Sequence, residues 1–263
     1  MDQNFSKMKA TFVIILSFFI SSFKFLNWGA IGHRTVGEVA AQHISKKTKT
    51  EIEDLLQGAS LAYISTYADE IKSDDRYKAF NSWHYANMKL DENYESSKKN
   101  SKGDIIKAID KCIQVLKSKT ASKQDNQFYL KLLVHFIGDL HQPLHLGMKE
   151  DLGGNKIQIK WFGKSSNLHR LWDSDMINSS QLSYTELANN LPVLSEIQKQ
   201  EIVSSPISIW IDETHAITNK IYKGLPKERN LGYRYRYENF DTIRLQLLKA
   251  GIRLAFILDD IFK

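Results

Sequence analysis

Apolar residues recur every three or four positions along most of the chain after residue 28, and this spacing predicts amphipathic helices. Gly58 marks the end of the first of these segments, since glycine often follows a helix. The predicted helices cover residues 34–58, 103–119, 128–142, 185–191, 207–222 and 242–262.

Two segments depart from the amphipathic pattern. Residues 128–142 are apolar on most sides, which predicts a central helix. Residues 155–163 alternate apolar and polar positions, as in a short strand or hairpin arm. Residues 98–102 and 117–127 are polar and predict loops, and no internal repeat or long Pro/Gly linker divides the chain. The pattern therefore predicts one mainly α domain, a helical bundle with a short β hairpin, over residues 28–263.

The first residues have a different composition. Lys7 and Lys9 precede an apolar run over residues 11–20, and a serine-containing stretch follows. This basic, apolar, polar order is typical of a secretory signal peptide, and the apolar run is shorter than the roughly 20 residues of a membrane span. We expect residues 1–27 to be a cleaved signal peptide and the protein to be secreted or periplasmic. An uncleaved signal anchor is the alternative.

Charge and cysteine content add two limits. The full chain carries a formal charge of +6, and residues 1–27 hold three lysines and one aspartate, which leaves +4 for the remainder. This mild basicity is compatible with a polyanionic partner without identifying one. Cys112 is the only cysteine, so no intramolecular disulfide can form. A bound metal is another way for an exported protein to gain stability.

One segment, HFIGDLHQPLH, concentrates side chains that can bind metal. His135 and Asp139 are four residues apart on the predicted central helix, so they project from one face, and His145 lies just past the helix end. The segment NLHRLWD repeats the spacing with His169 and Asp173. Nitrogen and oxygen ligands of this kind suit zinc. The alternative is a set of buried polar groups that hydrogen-bond to one another.

Three further motifs extend the pattern. WGAIGHRTVG begins at Trp28, YADEIK contains Asp69 and Lys72, and WHYAN contains His84. With the two His-x-x-x-Asp pairs, the later GGN and the C-terminal GIRLAFILDDIF, they resemble the S1/P1 nuclease family of zinc-dependent, single-strand-preferring nucleases. The similarity covers essentially all of residues 28–263. It implies a phospholipase C/P1 nuclease-like fold.

The resemblance also implies three zinc ions, each with its own ligand set. The ligands implied for the first ion are Asp69, His84, His135 and Asp139. Those implied for the second are Asp139, which bridges to the first, His33, and the free α-amino nitrogen and carbonyl oxygen of Trp28. Those implied for the third are His145, His169 and Asp173.

Catalytic and substrate-binding residues follow from the same resemblance. Lys72 matches a basic residue beside the metals, where a fixed positive charge stabilises the transition state, and Asn155 matches a position beside the phosphate. With the metal ligand Asp69 they form the expected catalytic set. The residues expected to bind the base or the rest of the substrate are Tyr85, Asn87 and Gly154. The family often has phenylalanine and aspartate in place of Tyr85 and Asn87, so base preference stays open.

The remaining motifs have simpler interpretations. The run YRYRY from Tyr233 to Tyr237 alternates aromatic and basic residues, which suits a nucleic-acid strand but favours a β-like arm with solvated arginines. His141 has no ligand role in the family, and we interpret it as a packing or supporting residue. His43 and His215 are interpreted as structural.

We therefore expect an exported zinc-dependent phosphodiesterase that cleaves single-stranded DNA or RNA to 5′-nucleotides, and 3′-nucleotidase activity is a second expected reaction. Its partners would be single-stranded nucleic acid and nucleotides, with no stable membrane association after processing and no obligate protein partner. A zinc phospholipase C acting on phospholipid head groups is the alternative enzyme. A zinc-stabilised binding protein without turnover is a third hypothesis, which Lys72 and the intact ligand set disfavour.

Overall fold

A computed structural model describes residues 29–263; the predictions for the signal peptide over residues 1–27 and for Trp28 lie outside the described residues. Within the described range the chain is mainly α-helical with one small sheet, so the predicted fold class is confirmed. No helix in this part of the chain combines the length and apolar character needed to cross a membrane.

The described chain forms twelve α-helices, several short helical turns and three strands. The α-helices are α1 (Ala30–His43), α2 (Lys46–Leu55), α3 (Leu61–Ile64), α4 (Tyr67–Glu70), α5 (Ile105–Leu116), α6 (Lys123–Leu140), α7 (Leu168–Arg170), α8 (Met176–Asn178), α9 (Tyr184–Asn189), α10 (Glu196–Ser204), α11 (Ile207–Gly224) and α12 (Tyr233–Ile261). The 3₁₀ turns are Ile71–Ser73, Asp75–His84 and Pro143–Leu146, and Leu171–Asp175 is a π turn. The strands are β1 (Gln158–Trp161), β2 (Lys164–Asn167) and β3 (Asn230–Leu231).

Capping side chains account for two differences from the predicted helices. The single helix predicted over residues 34–58 is interrupted because Ile44 is extended and Ser45 caps α2, its hydroxyl accepting a hydrogen bond from the amide of Thr48. Ser122 caps α6 in the same way, so the second half of the loop predicted over residues 117–127 is helical. Short polar side chains at these positions satisfy amide groups that have no partner inside the helix.

Helix α6 lies at the centre of the bundle, as its apolar pattern predicts. Leu132, Leu133 and Phe136 are fully buried along it, and α1, α5, α11 and α12 all contact it. Helices α1 and α12 also approach each other closely where Gly251 faces Val39, and a Cβ atom at Gly251 would overlap the valine side chain. The C-terminal half of α6 is therefore held on several sides.

The alternation over residues 155–163 correctly predicts a hairpin. Strand β1 pairs antiparallel with β2, and Trp161 lies opposite Lys164 across a two-residue turn. Strand β3 pairs in parallel with the other edge of β1. Because β3 is only two residues long, its sequence shows no alternating pattern that would predict it. The base of this hairpin leads directly into α7.

The β-like arm predicted over residues 233–237 is wrong, because these residues form the start of α12. Tyr235 is buried and its hydroxyl accepts a 3.0 Å hydrogen bond from Trp172 Nε1. Tyr233 and Tyr237 lie four residues apart on the exposed side. Over only five residues, alternate aromatic and basic types fit a helix as well as a strand.

Candidate metal centre

Five segments bring the predicted histidines and aspartates into three neighbouring groups. Helix α6 with the turn after it supplies the largest share, and the other four segments are α1, α4, the 3₁₀ turn Asp75–His84, and α7 with the π turn. The three groups are His33, His135 and Asp139; Asp69, His84 and His135; and His145, His169 and Asp173. Within each group one ligand atom per residue lies within 4.8 Å of the others.

The group formed by Asp69, His84 and His135 has the spacing of a metal site. His135 Nε2 lies 3.1 Å from His84 Nδ1 and 3.5 Å from Asp69 Oδ1, and His84 Nδ1 lies 3.9 Å from the same oxygen. Ligand atoms on a tetrahedral zinc ion are separated by roughly 3.3 Å, given zinc–nitrogen bonds of about 2.0–2.1 Å. Two histidine lone pairs and a carboxylate thus point at one common position.

The Asp139 carboxylate faces two groups at once. Its Oδ2 lies 2.8 Å from His84 Nδ1 and 3.0 Å from His135 Nε2. Its Oδ1 lies 3.4 Å from His33 Nε2. The rings of His33 and His135 are stacked with their centroids 3.8 Å apart. One fully buried carboxylate therefore connects the two groups, which is the arrangement of a bridging ligand.

The third group lies where the end of the 3₁₀ turn after α6 meets α7. His145 Nε2 lies 3.9 Å from Asp173 Oδ1, and the rings of His145 and His169 are stacked with centroids 5.2 Å apart. His169 and Asp173 are four residues apart as predicted, but the chain between them passes from α7 into a π turn. Local π turns occur often at functional sites.

Backbone carbonyls orient the histidines. His135 Nδ1 donates to the Ser65 carbonyl at 2.7 Å, and His169 Nδ1 donates to the Gly153 carbonyl at 2.7 Å. His145 Nδ1 lies 2.9 Å from the carbonyl of residue 84. These hydrogen bonds fix the tautomer that leaves Nε2 as an acceptor facing its group.

Several buried atoms at the centre lack the partner that burial normally demands. Both ring nitrogens of His33, Nε2 of His145 and Oδ1 of Asp139 form no hydrogen bond with any described residue. Leaving such groups unpaired costs roughly 1–3 kcal/mol each. A cation bound among them would satisfy the carboxylate oxygen and one nitrogen lone pair of each histidine, so the residues present fit a metal.

The electrostatics of the first two groups favour a cation. Burial raises the pKa of Asp69, but His135 and Lys72 outweigh it and lower this pKa to about 2. Burial likewise opposes ionisation of Asp139, yet His135 and His145 hold its pKa well below the usual range. Burial lowers the pKa of His84 to about 4, and Lys72 adds to this effect. Two ionised carboxylates thus face a histidine that stays neutral at mildly acidic pH.

Asp173 differs from the other two aspartates. Burial raises its pKa well above the usual value, and the negative charges of Asp139 and Asp69 add to this, while a hydrogen bond from Gln142 opposes it. Burial also lowers the pKa of the neighbouring His145 to about 3. In the third group, burial therefore disfavours both the ionised form of the carboxyl and the protonated form of the histidine.

Gln142 supports the third group, and the sequence did not single it out. The side chain is fully buried; its Nε2 donates to Asp173 Oδ1 at 3.2 Å, and its Oε1 accepts from the Leu144 amide at 2.6 Å. It thus links the end of α6 to the π turn and orients the carboxylate. In the sequence, only its position between the candidate ligands Asp139 and His145 pointed to this role.

His141 contacts residues outside the three groups, as expected for a packing residue. Its Nδ1 donates to the Ile137 carbonyl at 2.8 Å, and its Nε2 accepts from Arg253 at 3.0 Å. Arg253 is almost fully buried and also donates to Glu213 at 2.7 Å. The end of α6, just beyond Asp139, is thereby fixed to α12 and α11.

The predicted catalytic side chains lie on the edge of the centre. Lys72 Nζ donates to Asp69 Oδ1 at 2.9 Å and is partly exposed. The Asn155 side-chain amide donates to the Leu152 carbonyl at 2.9 Å. Asn155 follows by two residues Gly153, whose carbonyl orients His169. Gly154 has a φ of +83° and packs against the His169 backbone, which gives it a structural reason for being glycine.

Tyr85 and Asn87 follow His84 in an extended segment. The amides of Ala86 and Met88 donate to carbonyls of residues 145 and 147, so alternate side chains point inward and outward. His84 points into the centre, whereas Tyr85 and Asn87 are exposed and partly exposed. Both therefore lie beside the centre on its solvent side.

Comparisons with known proteins identify the family of the chain. The S1/P1 Nuclease family profile matches residues 28–263. The chain is 29% identical to Nuclease P1 of Penicillium citrinum, over 89% of this chain and 97% of that protein. It is 30% identical to Nuclease S1 of Aspergillus oryzae over 88% and 91% of the two chains, and 27% identical to Endonuclease 4 of Arabidopsis thaliana over 90% of each.

Proposed function

The chain belongs to the S1/P1 nuclease family, and from that premise we propose that it is an exported zinc phosphodiesterase that hydrolyses single-stranded DNA and RNA to 5′-nucleotides. Family membership makes the chain a nuclease with nucleic acid as its substrate. The observation that carries the finer proposal is the buried Asp139 carboxylate, whose two oxygens face two separate histidine groups.

Three zinc ions would occupy the three groups. Asp69, His84, His135 and Asp139 would hold the first, and His145, His169 and Asp173 the third. The second would be held by Asp139, His33 and the free amine and carbonyl of Trp28. Gly29, the first described residue, donates its amide to the Asp173 carbonyl at 2.9 Å, so the described chain begins beside the third group.

Zinc bound here would supply Lewis acidity toward a phosphodiester and make water nucleophilic near neutral pH. Lys72, held at 2.9 Å by Asp69, would place a fixed positive charge beside the phosphate as negative charge builds up. The second N–H of the Asn155 amide would donate to a phosphate oxygen. Burial of the Asp139 carboxylate excludes water from its ion contacts and strengthens them.

Substrate selection would come from the solvent side of the centre. Tyr85 presents an aromatic face on which any base can stack, and Asn87 offers both a donor and an acceptor. Gly154 would contribute indirectly, since its close packing against the His169 backbone holds the third group in place. A terminal 3′-phosphate bound at the same centre would account for 3′-nucleotidase activity.

Two alternative functions are less favoured. A zinc phospholipase C would use the same ligand types, but the matched relatives are named as nucleases. A binding protein without turnover would not need Lys72 hydrogen-bonded to a candidate ligand.

We expect single strands to be cut faster than matched duplexes. A base stacked on Tyr85 must leave the duplex, which costs a few kcal/mol. Tyr85→Ala should therefore raise KM for single strands more than it lowers kcat, whereas Tyr85→Phe, which keeps the ring, should retain both. The measurement compares the zinc-loaded protein on single-stranded, duplex and phospholipid substrates. Equal rates on matched single and double strands would contradict the proposal.

We also expect the third zinc ion to be released first as the pH falls. Burial raises the pKa of Asp173, whereas neighbouring positive charges lower the pKa values of Asp69 and Asp139. Protons should therefore compete with zinc at Asp173 at a higher pH than at the other two carboxylates. Zinc per chain should fall by one ion before the rest, measured by elemental analysis after dialysis at decreasing pH. The Asp173→Asn protein should lack the third zinc ion at every pH, so it should not show this first loss of zinc. Simultaneous loss of all ions would refute the assignment.

A further inference from the structure

His215 is a buried histidine of α11 that belongs to none of the three groups of the metal centre. The residue is 4% exposed. Its Nδ1 lies 3.0 Å from the Leu146 carbonyl oxygen, and its Nε2 lies 2.9 Å from the Lys89 carbonyl oxygen. A carbonyl oxygen can only accept, so both ring nitrogens must carry a proton for both hydrogen bonds to form. The ring thus connects two segments that border the centre.

The two connected segments have different roles. Leu146 directly follows the candidate ligand His145 in the 3₁₀ turn after α6. Lys89 is the last residue of the extended segment over residues 85–89, which carries Tyr85 and Asn87 on its solvent side. His215 therefore lies between a turn that positions a metal ligand and a segment that we assign to substrate selection.

The first half of the extended segment is held by contacts that do not involve His215. The Ala86 amide donates to the His145 carbonyl at 3.0 Å. On the other side of the segment, the Ile105 amide donates to the Tyr85 carbonyl at 3.3 Å. The backbone that carries the Tyr85 ring is therefore fixed both to the turn after α6 and to the start of α5.

The second half of the segment depends more on the histidine. The Met88 amide donates to the Gly147 carbonyl at 3.3 Å, which is longer than most hydrogen bonds of this kind. The contact of His215 with the Lys89 carbonyl, at 2.9 Å, is the shorter of the two. These two contacts hold the backbone that follows Asn87. The place of the Asn87 side chain therefore depends on His215.

Helix α11 is a firm support for this contact. It runs over 18 residues and packs against the 3₁₀ turn after α6, where Thr218 Oγ1 donates to the Pro143 carbonyl. Asp212, one turn before the histidine, accepts a 2.9 Å hydrogen bond from the Tyr94 amide in the loop that follows the segment. The turn after α6 thus has a second tie to α11, and loss of the Leu146 contact alone would leave that tie in place.

We propose that His215 is a positioning residue for base recognition, which acts through Asn87 by holding the Lys89 carbonyl. The inference rests on the proposed nuclease function, since Asn87 is assigned to the substrate there. Without this contact the segment would spend less time in the arrangement that binds a base, and apparent affinity would fall in proportion. The metal ligands keep their other contacts, so the chemical step does not depend on His215.

Two substitutions separate the two contacts of the ring. In His215→Asn the side-chain NH₂ group can take the place of Nδ1, which keeps the bond to Leu146 and removes the bond to Lys89. In His215→Gln the longer side chain can place its NH₂ group near Nε2, which keeps the bond to Lys89 and removes the bond to Leu146. The two proteins therefore differ in which segment α11 still holds.

The first measurement is steady-state hydrolysis of a single-stranded oligonucleotide by the zinc-loaded proteins. KM should rise about fivefold in His215→Asn, as expected for loss of one hydrogen bond, and should stay near the wild-type value in His215→Gln. kcat and zinc per chain should not change in either protein. His43→Asn is the matched control, because His43 Nδ1 bonds the Val39 carbonyl of its own helix, α1, and its loss should leave KM unchanged.

A double-mutant cycle shows whether His215 acts through Asn87. Asn87→Ala should raise KM by itself, and His215→Asn added to it should cause no further rise, because the side chain that the histidine positions is gone. A general loss of stability would instead raise KM by the same factor in both backgrounds.

Hydrogen–deuterium exchange reports on the segment without any substrate. The Met88 amide should exchange faster in His215→Asn than in the wild-type protein and at the wild-type rate in His215→Gln. The Ala86 amide should be unchanged in both, since its bond to the turn after α6 remains. Unchanged exchange along α6 would show that both variants keep the fold.

An unchanged KM in His215→Asn would overturn the proposal, as would an equal further rise of KM in the Asn87→Ala background. Loss of zinc in His215→Asn would also overturn it, since the histidine would then support the metal ligands. If the wild-type protein cleaved no single strand, the proposed nuclease function would fail separately. The exchange rate of the Met88 amide would then still decide whether His215 holds the segment.

Discussion

Asp139→Asn is expected to remove two of the three zinc ions and to lower hydrolysis of single strands by more than about 100-fold. The carboxylate oxygens face different histidine groups, at 2.8 Å from His84 and 3.4 Å from His33. An asparagine amide keeps one acceptor oxygen but replaces the other with an NH₂ group and removes the negative charge that offsets neighbouring cations. Loss of a supporting residue alone typically costs 10–100-fold, so loss of a shared ligand should exceed it.

The other aspartates provide graded comparisons. Asp69→Asn and Asp173→Asn should each lose one ion, because each belongs to one group. Asp175→Asn is the matched control, since Asp175 lies close by but accepts hydrogen bonds from Ser166 and Arg170 outside the groups. Zinc per chain and kcat should be measured on each variant after its fold is checked by circular dichroism. An Asp139→Asn protein with full zinc content would contradict the bridging role.

A single extra residue before Trp28 is expected to remove the second zinc ion and most of the activity. An α-amine binds zinc only when it is free and unprotonated, whereas the nitrogen of a peptide bond is a poor ligand. His33, on the first turn of α1, makes no hydrogen bond through either ring nitrogen with a described residue, and it would lose its cation. Cleavage between Asn27 and Trp28 would then activate the enzyme chemically as well as releasing it.

Three forms of the protein separate the effect of a free α-amine on zinc binding from the effect of an added residue. One starts at Trp28, one keeps Asn27 before it, and one starts at Trp28 with an acetylated amine. Acetylation converts the amine to an amide, whose delocalised lone pair binds metal poorly, with little added bulk. The first should bind three zinc ions, and the other two should bind one fewer. N-terminal sequencing of exported protein should find Trp28 first. Full zinc content and turnover in the Asn27-extended form would disprove the backbone ligand.

Helix α6 and its two candidate ligands could be predicted from the sequence because the signals for them are local. Side chains four residues apart on a helix must share a face, so His135 and Asp139 were predictable from spacing and the apolar pattern of α6. The assembly of His33, Asp69 and His84 around them depends on contacts far apart in sequence. It was accessible through the family resemblance alone.

Features set by backbone geometry left little trace in the sequence. The carbonyls of Ser65 and Gly153 orient two histidines, but any residue type has a carbonyl. The π turn that carries Asp173 keeps the spacing of an α-helix in sequence. Arg253 fixes His141 from α12, 112 residues away, which no local pattern predicts.

The misread YRYRY segment has a physical explanation as well. Alternation favours a strand only when one face is buried along its length. Here Tyr235 alone is buried, against Trp172, and the helical phase becomes visible only with the apolar residues from Ile243 onward. Likewise, Phe162 in a turn that favours asparagine is evident only from its φ of +48°.

The most direct test of the three-zinc assignment is anomalous diffraction at the zinc edge from crystals of the protein that starts at Trp28. We predict three peaks per chain: one among Asp69, His84 and His135, a second between Asp139 and His33, and a third at His145, His169 and Asp173. A single peak, or none at these residues, would contradict the proposed mechanism.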